Sequence, residues 1–204
     1  MLRVFFYLLY QPMAWSYDAV AWLVSLGRWR SWVNSVLTEL GSGRILELGH
    51  GPGHLQVAMR NAGQTPFGID LSAQMGKLAA RRMQAARYRP LLVRADGRRL
   101  PFAPRAFQHV VATFPTEYIV QASTLAEARR TLAAGGSLVL LPAAWITGGD
   151  WLSRAAAWLF RVTGQAGEWN ISFSATIRQQ GFSVQEKRIT SPGSEVMLLV
   201  CKPQ

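Results

Sequence analysis

Three glycines spaced two apart, Gly49, Gly51 and Gly53, follow directly on a short apolar run, Arg44-Ile-Leu-Glu-Leu48. The glycines give way to a helical pattern, His54 to Asn61, closed by Gly63, so the stretch reads as strand, loop and helix. Glycine permits the sharp turn and lets a ligand approach the backbone with no side chain in the way. Dinucleotide folds cradle phosphate with a strand feeding such a loop into a helix N-terminus, and there the spacing is G-x-G-x-x-G. In this chain the third glycine of that pattern would fall on His54, and Gly53 stands one residue early. Glu47, two residues before the first glycine, has no place in that fingerprint either. A nicotinamide-dependent oxidoreductase is therefore disfavoured.

The next apolar run, Thr65-Pro-Phe-Gly-Ile-Asp70, ends in an acid about twenty residues past the loop, the spacing at which a carboxylate accepts ribose hydroxyls. Ser72 is placed to cap a helix that runs to about Arg87. A third run, Leu91-Leu-Val-Arg-Ala95, ends in Asp96-Gly97 and then Leu100-Pro-Phe102; a fourth, His109-Val-Val-Ala-Thr-Phe114, ends in Pro115. Glu127 to Gly136 leads into a fifth, Ser137-Leu-Val-Leu-Leu141. Glu47 and Asp70 could simply cap the ends of a buried sheet, but both stand where apolar residues are expected. Asp96 is more ambiguous, because Asp-Gly is a common turn pair.

Taken in order, from about Gly43 to Pro142, these segments resemble the core of class I S-adenosylmethionine-dependent methyltransferases, in particular the ubiquinone and menaquinone methyltransferase-like group. The resemblance implies S-adenosylmethionine as cofactor and assigns roles residue by residue. Glu47 would fix the loop or reach the methionine ammonium, and Gly49, Gly51 and Gly53 would form the floor under the methionine moiety. Asp70 would take the ribose hydroxyls, with Leu71 and Met75 packed against adenine. Asp96 would accept from the adenine amino group, Gly97 would bring an amide near the ring, and Thr113 and Phe114 would line the space beside the sulfonium. Tyr17-Asp18 resembles the pair that precedes the cofactor domain in this group, where the segment folds over the site, so Tyr17 joins the expected cofactor contacts. One departure is Gln108, which stands where the group usually has an acid; that position is mainly structural.

The chain has 204 residues, half of them apolar, which is enough for one full core, and no linker or repeat divides it. The expected fold is α/β: a Rossmann-like three-layer sandwich with a seven-stranded, mostly parallel sheet and a C-terminal antiparallel hairpin. Residues 1–40 read as a helical lid, 41–142 as the cofactor core, 143–170 as an acceptor-side insert, and 171–204 as a helix and hairpin. Cys201 is the only cysteine, so a disulfide framework is excluded and a buried thiol is expected. His50, His54 and His109 have no metal-ligand spacing, and no metal site is expected. The apolar start, Met1 to Tyr10, is interrupted by Gln11-Pro12 before spanning length and lacks a cleavage site, so it reads as neither a span nor a secretion signal.

The flanks should choose the acceptor. Residues 12–38 read as two helical segments carrying Trp15, Tyr17, Trp22, Trp29 and Trp32, and a second aromatic stretch runs from Trp145 through Trp151 and Trp158. Eight tryptophans and a net charge of +11 suggest a large apolar pocket or a surface for anionic membrane. Much of the charge lies between Lys77 and Arg105, where a solvated arginine-rich face would serve as well. Nucleic acid is the weaker partner, since the tryptophans are not interleaved with arginines as a stacking platform. The preferred acceptor is a small hydrophobic molecule, quinone-like or lipid, and the expected setting is the cytoplasm, peripheral to the inner face of the membrane. If a base assists, the candidates are Glu117 and Tyr118 past the fourth strand, then Tyr17, Asp18 and His54. The alternative is a cofactor-binding or membrane-docked partner protein without turnover. Oligomeric state and the methylated atom stay open.

Overall fold

Ile45, Leu46 and Leu48 are all buried, so the first strand, β1 (Arg44–Leu48), has apolar side chains on both faces. That pattern belongs to a central strand of a parallel sheet covered on both sides. A computed structural model, which describes residues 21–23, 25–147 and 171–204, places β1 there. Before it come α1 (Trp29–Asn34) and a 3-10 turn (Ser35–Glu39). After it come α2 (His54–Asn61), β2 (Thr65–Asp70), α3 (Ala73–Ala85), β3 (Leu92–Arg94) and β4 (Phe107–Thr113). A second 3-10 turn (Glu117–Val120) leads to α4 (Ala122–Thr131), β5 (Leu132–Ile146), α5 (Ile171–Gln179), β6 (Phe182–Ser191) and β7 (Ser194–Pro203).

The seven strands form one sheet in the order β3-β2-β1-β4-β5-β7-β6. β1 to β5 pair in parallel, and β7 runs antiparallel to both β5 and β6. This is the expected Rossmann-like arrangement with its C-terminal hairpin. The chain moves outward from β1 through β2 to β3 and then crosses back to β4, so the topological switch lies between β1 and β4. A ligand crevice opens at the carboxyl ends of the strands at such a switch.

Alternation along the strands sorts the core into two layers. Leu46, Leu48, Val110 and Leu140 pack with Leu125 and Ala128 of α4 and Ile177 of α5. Ile45, Val111, Val139 and Leu141 pack on the opposite face with Trp32 and Val33 of α1 and Leu55 and Met59 of α2. Each large aliphatic buried in this way contributes about 1.5–3 kcal/mol, which is what holds these short helices in place. Glu47 shares its face with Ile45 and so points toward α2, not into the α4 layer.

The helix termini follow their local chemistry. Ser72 is extended (φ −80°, ψ 116°), and its hydroxyl accepts from the Met75 amide at 3.2 Å, the expected cap of α3. Gly63 ends α2 in the left-handed region (φ 76°), with its amide donating to Arg60 and the Gln64 amide donating to Met59. Several boundaries differ from expectation. β3 has only three residues, because it is an edge strand whose pairing thins out beyond Arg94. β5 extends to Ile146 instead of ending at Leu141, since β7 continues to pair with it past an irregularity between Leu140 and Ala143. α4 lies earlier than the Glu127–Gly136 segment and gives way at Leu132 to the long strand. Of the two N-terminal helical segments expected, residues 12–20 lie outside the described residues.

Candidate cofactor and acceptor site

At the carboxyl end of β1 the backbone turns through Gly49, Gly51 and Gly53, all in the left-handed region. The amides of Gly49 and His50 both donate to the Ile69 carbonyl, at 2.8 and 3.0 Å, so the loop is tied to the end of β2. Asp70 completes the tie: one carboxylate oxygen accepts from the Gly51 amide at 2.9 Å and the other from the Ser72 amide at 2.8 Å. The three glycines have different reasons to be glycine. A Cβ on Gly51 would meet no atom within 4 Å, so the space above it is open. A Cβ on Gly53 would lie 2.7 Å from the Ala79 Cβ, so this glycine lets α3 close onto the loop.

A cavity of about 450 Å³ opens over this loop. Glu47, Gly49, Gly51, Asp70, Leu71, Asp96, Gly97, Thr113 and Phe114 all line it, from the ends of four strands. Gly53 and Met75 are buried beneath and do not line it, and Met75 is wholly enclosed under α3. Of the proton-transfer candidates, Tyr118 and His54 line the cavity, whereas Glu117 is exposed and does not. Tyr17 and Asp18 lie outside the described residues. Among the described residues no cluster of three metal-ligating side chains occurs.

Glu47 is 2% exposed and accepts from the Gln56 carboxamide at 2.7 Å. Burial pushes its pKa up to about 8, the Gln56 bond opposes that rise, and the nearby Asp70 charge adds to it. A carboxyl held in this state ionises readily once a cation is placed beside it. His50, also buried, has Nδ1 within 2.7 Å of the Gly51 carbonyl, so Nδ1–H donates and stiffens the loop; burial lowers its pKa and keeps the ring neutral. Open space over Gly51, a carboxylate anchored at the end of β2 and a buried acid awaiting a cation together suit an amino acid joined to a nucleoside.

The other end of the cavity is aromatic. Phe114 sits just past β4 with φ 46°, a left-handed conformation that costs a bulky residue about 1–3 kcal/mol. Its amide donates to Leu141 at 2.7 Å, and its ring stacks on Trp29 with centroids 4.3 Å apart and planes 23° apart. Trp32 tilts against the same ring at 6.3 Å. Tyr118 spans the polar side: a Cβ on Gly49 would lie 3.0 Å from its hydroxyl, and one on Gly97 3.2 Å from its ring.

Two contributors were missed by sequence reasoning. Trp29 is one of several flanking aromatics in the sequence, and nothing local marks it as the partner of Phe114. Arg98 lines the cavity and grips Asp96 with a forked ion pair, at 2.6 Å for the closest contact, and this holds the Asp96 carboxyl below its usual range. The Asp96 oxygens are therefore shared with the Arg98 guanidinium. The one available signal was the spacing of Arg98 two residues beyond Asp96.

Strand order, switch point and glycine loop define a class I methyltransferase fold. Residues 45–136 match the family model of a methyltransferase domain. A demethylmenaquinone methyltransferase from Thermus thermophilus is 32% identical over 139 residues, covering 65% of this chain and 63% of that protein. A ubiquinone/menaquinone biosynthesis C-methyltransferase from a Geobacter species is 32% identical over 136 residues, covering 61% of this chain and 57% of that protein. The chain thus spans somewhat under two thirds of the length of these relatives. Among solved structures, a geranyl diphosphate C-methyltransferase from Streptomyces coelicolor in complex with S-adenosylhomocysteine superposes with a TM-score of 0.61. It is 15% identical, with 85% of this chain and 80% of that one covered. The chain thus has the fold of these methyltransferases, and its residues 45–136 match a methyltransferase domain.

Proposed function

We propose that this chain transfers a methyl group from S-adenosylmethionine to a small hydrophobic acceptor, quinone-like or lipid. The observation that carries the reading is the division of one cavity into a charged, amide-rich end at Glu47, Gly51 and Asp70 and an apolar end at Trp29 and Phe114. When bound, S-adenosylmethionine supplies a methyl group already activated on sulfur, so the chain's own task is placement and exclusion of water. Glu47 faces the methionine ammonium, Asp70 the ribose hydroxyls, and Asp96 with Gly97 the adenine edge. Thr113 and Phe114, at the end of β4, flank the path along which the acceptor approaches. Tyr118 and His54 line the same space and are placed to hold or accept the acceptor's proton. The relatives named for menaquinone and ubiquinone biosynthesis support a ring of that kind. We place the reaction in the cytoplasm beside an anionic membrane face, supported by the net charge of +11.

Calorimetric titration with S-adenosylmethionine and, separately, NADH tests the cofactor, and an acceptor screen beginning with quinols that carry a free ring position tests the reaction. Micromolar binding of the first ligand alone, with methyl incorporation into a quinol or lipid, is expected. Tight cofactor binding without turnover on any apolar acceptor would favour the non-catalytic alternative.

A further inference from the structure

The edge of the sheet onto which the cavity opens carries the exposed apolar side chains. Among the described residues the large hydrophobics in that state are Trp22 (64% exposed), Leu23 (58%), Leu71 (59%) and Val93 (40%). Leu71 is a wall of the cavity at the carboxyl end of β2, and Val93 adjoins the last residue of β3. Trp22 and Leu23 begin the turn that delivers Trp29 to the cavity: the Gly27 amide donates to the Trp22 carbonyl, and the Trp29 amide donates to the Ser25 hydroxyl. That turn lies at the same edge, because the Arg28 guanidinium abuts Gly193, and Gly193 accepts from Thr147 beyond the carboxyl end of β5. Soluble surfaces rarely gather their large apolar side chains around one opening.

Arginines surround the opening, on a chain whose net charge is +11. Arg28 and Arg30 flank the start of α1, and Arg94 and Arg98 stand at the opposite side of the mouth, where Arg94 donates to the Leu71 carbonyl at 3.0 Å. The acids nearby are largely engaged within the protein. Asp96 is paired with Arg98 at 2.6 Å, Glu195 with Arg188 at 2.7 Å, and Asp70 accepts from two backbone amides. Glu117 is a further exposed acid near this edge. Apolar side chains that can enter the headgroup region, ringed by arginines, are the composition of an interfacial surface. No helix among the described residues is long and apolar enough to cross a membrane.

We infer that the carboxyl edge of the sheet docks on an anionic lipid bilayer, with Trp22 and Leu23 inserted beside Arg28 and Arg30, so that the cavity opens toward the lipid and takes its acceptor from it. The docking stands on the surface alone; the entry of an acceptor rests on the methyl-transfer reading. The test is co-sedimentation of the full chain, at physiological salt, with vesicles of phosphatidylcholine alone and of phosphatidylcholine with phosphatidylglycerol. Binding is expected to the anionic vesicles and to be far weaker to the neutral ones. The double variant Trp22→Glu, Leu23→Glu should weaken it more than about tenfold, since two apolar side chains no longer leave water. Arg28→Gln with Arg30→Gln should weaken it about fivefold per charge. Both variants should bind S-adenosylmethionine within about twofold of the parent, a readout that shows the fold intact. No binding to anionic vesicles, or unchanged binding by both variants, overturns the docking. Retention on a polynucleotide but not on vesicles overturns it in favour of nucleic acid. A chain that binds vesicles but not S-adenosylmethionine leaves the docking standing and removes the methyl-transfer reading instead.

Discussion

The two ends of the cavity are built by opposite strategies. At the loop end, Gly49, Gly51, Glu47 and Asp70 come from two adjacent strands and are cross-tied by backbone amides, with positions fixed before any ligand arrives. At the aromatic end, Trp29 and Phe114 come from segments far apart in sequence and meet only through ring stacking. Polar recognition in a buried site needs fixed geometry, because an unmatched donor or acceptor there is costly. Apolar recognition tolerates adjustment, because dispersion and burial carry little directional demand. The contrast suits one invariant ligand and one that the flanking segments select.

Removing the anchor of the loop end should produce the largest effect. Asp70→Ala deletes the acceptor of two backbone amides, each such bond to a charged group being worth about 1.5–3 kcal/mol, and should weaken S-adenosylmethionine binding at least about a hundredfold. An Asp70→Ala chain that binds like the parent in calorimetry would break the comparison at its stronger end. Next is Gly53→Ala, which puts a methyl 2.7 Å from the Ala79 Cβ at φ 84° and should cost about 1–3 kcal/mol of stability. A thermal melt reads it, and an unchanged Tm would mean that α3 can retreat from the loop without loss.

Trp29→Ala acts at the other end. It should raise the acceptor KM about tenfold while leaving cofactor affinity within about twofold, since an aromatic pair adds about 0.5–1.5 kcal/mol beyond its buried area. Equal losses for both ligands would show that the two ends are not separable. The remaining effect is a pH dependence at Glu47. Its folded-state pKa is raised from 4.5 to about 8, so the stability it contributes is present below about 4.5 and is lost as pH rises through about 8. Glu47→Gln, uncharged throughout, should flatten the fall in stability over that window, as read by urea midpoints. In the parent, cofactor binding near neutral pH should release a proton to buffer. Parallel stability curves for parent and variant would remove Glu47 as the titrating group.

How much of this was visible in the sequence tracks the same division. The loop, Asp70, the Ser72 cap and the strand order were legible because each is set by local chemistry: a glycine spacing, an acid closing an apolar run, a hydroxyl before a helix. Spacing alone cannot distinguish a glycine that admits a ligand from one that admits a helix, and Gly53 is of the second kind. Met75 stands where the family resemblance implies an adenine contact, yet its helical phase turns it into the core. The length of β5 was hidden because its extension depends on β7, a partner some fifty residues later in the chain. The pairing of Trp29 with Phe114 is likewise tertiary, and no short-range pattern records it.

The bond from Asp70 to the Gly51 amide has a consequence for partial ligands. The same carboxylate that would meet a sugar also holds the turn beneath an amino acid, so the two halves of the site share one anchor. Adenosine bound first would brace that anchor under the turn that methionine then meets. The fragments should therefore bind together more strongly than their separate affinities multiply, a synergy measurable with two ordinary metabolites and no chemistry at all.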